Sequence, residues 1–231
     1  MIPLKNLRPR VHFPTVTLGL IISNFAVFFY QIALPSQVQQ AFIMTYSLIP
    51  ARAQMALAGS HFTLAQGFVP FFTMMFLHAG WLHIIGNMWF LWLFGPNLED
   101  RLGHLPYLGF YILCGLGAAV AQTLFSLGST IPSLGASGAI AGVLGAYIVF
   151  FPSSKILTLV TLFFWWFFAR LPAVLFIGLW FLVQFLSGIG SLGKAAEGGV
   201  AWWAHVGGFL LGILLVSGMR RKPDREYEYY A

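Results

Sequence analysis

The chain has 231 residues, 59% of them hydrophobic and 8% charged. A soluble domain carries about 25% charged residues, so this composition cannot clothe the surface of one. The net charge of +6 would suit nucleic acid, but the placement of the cations beside apolar runs points to a membrane instead.

No Asp, Glu, Lys or Arg occurs in 11–51, 53–98, 102–154, 171–193 or 198–219. Each window has room for a span of about 20 apolar residues, the length that crosses a bilayer core. Membrane β-barrels need short segments of alternating polarity, and these runs are continuous. The expected class is therefore all-α, a polytopic helical membrane protein. The lone cysteine, Cys114, excludes an internal disulfide and leaves the compartment open.

In chain order, Lys5, Arg8 and Arg10 precede an apolar run over 15–34. That run is too long for a signal peptide and lacks a small-x-small cleavage site, so it reads as an uncleaved first helix. The further spans are expected at 81–98, 105–126, 136–151, 172–189 and 202–219. Gly95-Pro96-Asn97 ends the second span, Pro132 precedes the fourth, Pro152 follows it and Pro172 opens the fifth. Residues 156–168, ILTLVTLFFWWFF, are apolar but short, β-branched and aromatic. They read as an interfacial or re-entrant piece and not a seventh crossing. The one long connection, 35–80, is too apolar for a solvated loop and is expected on the membrane interface, with 68–77 dipping toward the protein. Glu99, Asp100, Arg101 and His104 read as a turn with local ion pairs.

Six crossings put both termini on one side. That side then holds Lys5, Arg8, Arg10, Arg101, Lys155, Arg170, Arg220, Arg221, Lys222 and Arg225, against Arg52 and Lys194 on the other. The positive-inside rule makes the richer side cytoplasmic. The domain reading follows: a cytoplasmic segment 1–14, a membrane domain 15–219 and a cytoplasmic tail 220–231, whose basic start at 220–222 suits anionic lipid.

Polar side chains within spans mark function by default. His83 and Asn87 are i and i+4 in the first two turns of the second span, hence on one face. Ser137 opens the fourth span within SLGASGAIAG, and His205 lies in the first turn of the sixth. All four therefore share one depth, in the outer third of the bilayer. Gly138, Gly142 and Gly145, and Gly208 and Gly212, form small-residue faces on which helix backbones approach closely. If those faces pack, Ser137 and His205 come within hydrogen-bond reach, and a serine needs such a base to become a nucleophile. The Ser137 N–H, at a helix N-terminus, and His83 and Asn87 could donate to a developing negative charge. Taken singly, Ser137 also reads as a cap, and His83 and Asn87 as a bond between helices. No carboxylate occurs in the apolar windows, so any Ser–His pair is a dyad whose imidazole something other than Asp must orient. His78, Gln122, Gln184 and Ser187 carry weaker signals, His78 as a lining of the same cavity or as an interfacial hydrogen-bonding group.

Three stretches resemble the rhomboid family of intramembrane serine proteases. His78-Ala79-Gly80-Trp81-Leu82-His83-Ile84-Ile85-Gly86-Asn87 resembles its second-helix pattern, Gly135-Ala136-Ser137-Gly138 its G-x-S-G motif, and Ala204-His205-Val206-Gly207-Gly208 its A-H-x-x-G motif. Glu99-Asp100-Arg101-Leu102-Gly103 resembles the E-x-x-x-G element after the second helix. The resemblance covers about 10–220 in the six-helix bacterial form. It implies a rhomboid bundle that hydrolyses peptide bonds in or beside the membrane. Ser137 would be the nucleophile and His205 the base and acid, with His83, Asn87 and the Ser137 N–H stabilising the oxyanion. Gly135 and Ala136 would keep the preceding loop slim for a substrate backbone. Substrates would be single-span membrane proteins, with the fifth helix (Trp180 and Phe181 among its gate residues) and the 35–80 segment as lateral gate and neighbour. No cofactor, metal or nucleic-acid partner is implied. The expected location is a bacterial inner membrane with the site open to the outer face. One departure stands out: many relatives carry Trp-Arg in the first loop, where this chain has Phe68-Val69-Pro70-Phe71-Phe72, which puts the packing of that loop in question.

Two other functions compete. A rhomboid-like client-binding protein without activity predicts loss of Ser or His, and both are present. A small-solute transporter predicts a polar path across the membrane, and the inner halves of these helices carry few polar groups. The absence of H-E-x-x-H and of paired intramembrane aspartates removes the metallo and aspartyl intramembrane proteases.

Overall fold

The computed structural model describes residues 1–162, 164–191 and 200–219, without the side chain of residue 162. The tail 220–231 and Lys194, both used in the charge argument, lie outside the described residues. The chain is mostly helical. Strand β1 (Ile2–Asn6) leads into α1 (Thr15–Ala33), α2 (Ser36–Tyr46), α3 (Pro50–Leu57), α4 (Leu64–Thr73) and a 3-10 turn, Met74–Phe76. Then come α5 (Trp81–Leu102), α6 (His104–Phe125), α7 (Ser137–Phe150), β2 (Lys155–Leu162), β3 (Trp165–Pro172), α8 (Ala173–Ser191) and α9 (Trp202–Ser217).

Three single helices, α1, α6 and α8, are long and apolar enough to cross a membrane. The stretch Leu64–Phe76 with α5 passes the same test as a pair bent by 75°. The remaining apolar helices, α7 and α9, are shorter. At 14 residues α7 is about 21 Å long, short of a hydrocarbon core of about 30 Å. Its sequence, rich in Gly and Ala, is buried almost throughout, which makes it the axis around which the others pack.

The all-α expectation needs correction. Residues 156–162 and 165–168 are extended, not helical: β2 and β3 pair antiparallel, and β1 adds to β2 in a sheet of order β1-β2-β3. Val, Thr and Ile dominate β2 and aromatics β3, both of which favour a pleated backbone. The second helix also runs past Gly95-Pro96-Asn97 to Leu102. Gly95 lies against α1 and α6, where a Cβ would stand 2.7 Å from the Tyr107 hydroxyl and 3.1 Å from Thr17; packing overrides the local stop signal. Glu99 is consequently no turn residue. It is 1% exposed and accepts bonds from the Val16 and Thr17 N–H groups and the Thr17 hydroxyl at 2.7–2.8 Å, which caps α1. His104 is its local partner, at 2.6 Å.

The 35–80 connection is a layer of short helices. Thr63 and Gln66 form a capping box at the start of α4, and Phe71, Met74, Met75 and Leu77 are buried. The Phe-rich stretch without an arginine thus packs through its own side chains. Leu48 and Ser133 exchange both backbone bonds, at 3.0 and 2.8 Å, so this layer braces the loop that leads into α7.

Candidate active site

Helices α7 and α9 meet on their glycines. A Cβ on Gly208 would overlap the Gly138 carbonyl oxygen, and one on Gly212 would overlap that of Gly142. Nothing larger than a hydrogen fits at these points, so the backbones touch. That contact carries Ser137, in the first turn of α7, onto His205, in the first turn of α9. The Ser137 Oγ lies 2.7 Å from the His205 Nε2.

The opposite ring nitrogen is also engaged. His205 Nδ1 lies 2.7 Å from Oε1 of Gln184 on α8. A carbonyl oxygen only accepts, so Nδ1 carries the proton. Nε2 is then the unprotonated nitrogen, and the Ser137 hydroxyl donates to it. Rings flank the imidazole on two sides, Trp180 with its centroid at 5.9 Å and Trp202 at 6.4 Å, the latter perpendicular. Gln122 on α6 accepts the Ala204 N–H at 3.2 Å and fixes the start of α9.

Across the site stand His83 and Asn87 of α5. The Ala79 N–H points at His83 Nδ1 from 3.4 Å, which leaves the proton on Nε2. A Cβ built on Gly135 would sit 2.7 Å from that Nε2 and 3.5 Å from the Asn87 Nδ2. Gly135 has φ +126°, a region L-residues avoid, and its N–H is held by the Met74 carbonyl at 2.9 Å. Both sterics and backbone thus require glycine here, and the missing side chain leaves two donors facing the loop. The Asn87 Nδ2 has no hydrogen-bond partner among the described residues. The first intrahelical bond of α7 runs from the Ile140 N–H to the Ala136 carbonyl, so the N–H groups of Ser137, Gly138 and Ala139 have no intrahelical acceptor. Ala136 is fully buried.

Of the residues singled out from the sequence, Ser137 and His205 touch, and His83, Asn87, Gly135 and Ala136 surround them. His78 is fully buried and edge-on to His83, centroids 5.1 Å apart. Its backbone carbonyl accepts from Gln31 of α1 at 2.7 Å, so it backs His83 and does not reach the dyad. Sequence reasoning undervalued Gln184. The signal was present, a lone amide in an otherwise apolar helix, but no spacing rule pairs it with His205. Among the described residues no group of His, Cys, Asp and Glu could hold a metal ion.

The Rhomboid domain family model matches residues 65–222. Among curated proteins, the chain is 31% identical over 158 residues to "RHOMBOID-like protein 6, mitochondrial" of Arabidopsis thaliana, covering 68% of this chain and 46% of that one. It is 35% identical over 150 residues to "Rhomboid protein 1, mitochondrial" of Saccharomyces cerevisiae, covering 60% and 38%. It is 32% identical over 156 residues to "RHOMBOID-like protein 1" of Arabidopsis thaliana, covering 68% and 36%. The matches thus span under half the length of these relatives. Two of the three names are mitochondrial, so they lend no support to a bacterial inner membrane.

Proposed function

The chain belongs to the rhomboid family, and on that premise we propose that it is an intramembrane serine endopeptidase acting through Ser137 and His205. The family supports protease-like chemistry in a membrane-embedded, multi-pass protein. The observation that carries the residue assignment is the 2.7 Å approach of Ser137 Oγ to an imidazole whose other nitrogen is already occupied.

The reaction follows from these groups. His205 Nε2 takes the hydroxyl proton as Ser137 Oγ bonds to the scissile carbonyl carbon. The carbonyl oxygen, now negative, accepts from the His83 Nε2–H, the Asn87 amide and the Ser137 N–H, which are oriented before the charge forms. The imidazolium then protonates the departing amine as the C–N bond breaks, leaving an ester on Ser137. Water, deprotonated by the same Nε2, attacks that ester, and Ser137 regains its proton. Gly135 and Ala136 keep the loop before Ser137 slim, with His78 behind His83.

Substrates in this reading are single-span membrane proteins cut in or beside their spans, with no cofactor and no nucleic acid. Six crossings, cytoplasmic termini and a membrane domain over 15–219 complete it, with the site opening to the outer face; α7, too short to fill the bilayer, leaves room for water above Ser137. The relatives' names do not extend to which cellular membrane this is.

The test is cleavage of a single-span reporter in proteoliposomes, with labelling by a serine-reactive fluorophosphonate. Ser137→Ala and His205→Ala should each lose activity by at least about 1,000-fold with thermal stability retained, and label should sit on Ser137. Turnover by Ser137→Ala at the wild-type rate would sink the assignment; binding of reporter without cleavage by the wild type would favour a client-binding protein instead.

A further inference from the structure

Helix α8 is almost wholly apolar. Its outer faces are apolar and exposed, with Val174, Leu175, Leu179, Leu182, Val183, Phe185 and Leu186 all open to the surroundings. Its inward residues are Ala173, Phe176, Ile177, Gln184 and Gly188. Gln184 is thus its one buried polar side chain, 7% exposed, and its oxygen is spent on His205. Burying a methylene in an apolar interior is favourable, whereas burying an amide is unfavourable unless it is hydrogen-bonded, so its presence here needs a partner, and the partner is the imidazole.

We propose that Gln184 is a positioning residue for the dyad: it holds the Nδ1–H tautomer and ring plane of His205, and so makes the alignment of the base depend on α8 being docked. This rests on the reading of Ser137 and His205 as nucleophile and base. A neutral imidazole has two tautomers and can turn about its Cβ–Cγ bond. With Nδ1–H donating to Gln184 Oε1, only Nε2 can accept from Ser137. With the amide gone, Nδ1 has no acceptor and the opposite tautomer, which cannot deprotonate Ser137, becomes accessible. The role is one that Asp fills in triads, performed here by an uncharged group that adds no net charge to the bilayer. The packing around α8 gives the second half of the proposal. Gly188 is the glycine facing α9, and a Cβ there would meet Trp203 at 3.4–3.5 Å, ordinary contact distance; no backbone interlock holds α8 as it holds α7 to α9. A displacement of α8 by an ångström or so lengthens the Gln184–His205 bond beyond hydrogen-bonding range while leaving the Ser137–His205 seam in place.

Among the described residues, His83 of α5 is the titratable side chain that acts on His205, beside the Ser137 hydroxyl of α7. Farther along are His104, Tyr107, Tyr111 and Cys114 on α6 and Tyr147 on α7. No charged side chain occurs on α7, α8 or α9, while Lys194 and Glu197, between α8 and α9, lie outside the described residues.

The experiment compares wild type, Ser137→Ala, Gln184→Met and Gln184→Glu as full chains in proteoliposomes, with kcat, KM and the pH–rate profile on the reporter. Gln184→Met keeps the shape and removes the acceptor; kcat should fall about tenfold, the worth of one hydrogen bond, with KM unchanged. Gln184→Glu restores an acceptor and adds a negative charge at Nδ1, which favours the imidazolium. Its kcat should recover, and the acid limb of its profile should move to higher pH by about 1–3 units. A structural role alone would leave that limb where it was. Wild-type kcat in Gln184→Met, or an unmoved acid limb in Gln184→Glu, overturns the proposal. If Ser137→Ala still cleaves, it is the protease assignment that fails; if Ser137→Ala is inert and the Gln184 variants behave as wild type, only this inference does.

Discussion

Two helices meet His205 from opposite sides, and they are held by opposite means. Helix α7 reaches α9 largely through backbone: Gly208 and Gly212 abut the carbonyls of Gly138 and Gly142, and Gly145 abuts that of Phe209. Helix α8 reaches α9 through side chains, Gln184 on the imidazole, Phe181 stacked on Phe209 at 4.2 Å and Gly188 at ordinary distance from Trp203. The first arrangement fixes the distance between Ser137 and His205 as a property of the fold. The second ties the orientation of His205, in the inference above, to the seating of α8. In the proposed reading, a site that admits a substrate helix from the lipid would use one wall of each kind.

Glycine-to-alanine pairs break that contrast most sharply. In Gly212→Ala the new Cβ would overlap the Gly142 carbonyl and stand 2.6 Å from its Cα; backbone atoms cannot rotate away, so the helices must part. A misplacement of about 1 Å can cost roughly 100-fold in rate, and cleavage should fall at least that far, with stability lower by about 1–3 kcal/mol or more. In Gly188→Ala the new atom meets Trp203 at 3.4 Å, and activity and melting temperature should stay near wild type. Equal sensitivity of the two variants would show that α8 is as rigidly seated as α7.

At the far end of α5, stability and chemistry should separate. Glu99 satisfies two N–H groups and the hydroxyl of Thr17 at the start of α1, in a position 1% exposed. Glu99→Ala leaves these donors buried and unpaired, a loss of about 2–5 kcal/mol, read as a lower melting temperature. Protein that remains folded should cleave with wild-type kcat, because Glu99 lies three turns beyond Asn87 on the same helix. A fall in kcat in the folded fraction would mean that α1 and α5 report to the site.

The glycine faces and the helices themselves were legible because each is written in local spacing. Hydropathy and charge alone put Ser137, His205, His83 and Asn87 in the first turns of three helices. What escaped depends on partners far apart in sequence. Glu99 looked like a turn residue until α1 arrived to be capped by it. Thr17, Asn24 and Gln31, seven residues apart, make a buried polar stripe on α1 that serves Glu99 at one end and the His78 carbonyl at the other. Gln184 was visible as an odd polar residue but not as the orienting group the missing carboxylate called for. The hairpin escaped for a different reason. Residues 156–168 carry apolar side chains on both faces of the sheet, so the two-residue alternation that marks a half-solvated strand is absent.

That double-sided apolarity is itself informative about where the hairpin sits. Phe164 is 96% exposed, and Trp165, Trp166 and Phe168 exceed 65%, a surface no aqueous hairpin would tolerate on both faces. It follows α7 at the end opposite Ser137. Strand β3 is an edge of the sheet, and an open edge cannot lie in hydrocarbon, where its N–H and C=O groups would find no partner. Headgroup depth meets both conditions: aromatic rings favour it, water and lipid esters reach the open edge, and Lys155 and Arg170 at the base can extend toward phosphate. A nitroxide on Phe164→Cys, in a Cys114→Ala background, should collide more with oxygen than with a water-soluble nickel chelate in proteoliposomes. Domination by nickel would place the tip in water and leave the aromatic surface for a protein to cover. The effect on cleavage should be the smallest of all, with Phe164→Cys within about twofold of its Cys114→Ala parent, since the hairpin packs against the end of the bundle that the dyad does not use.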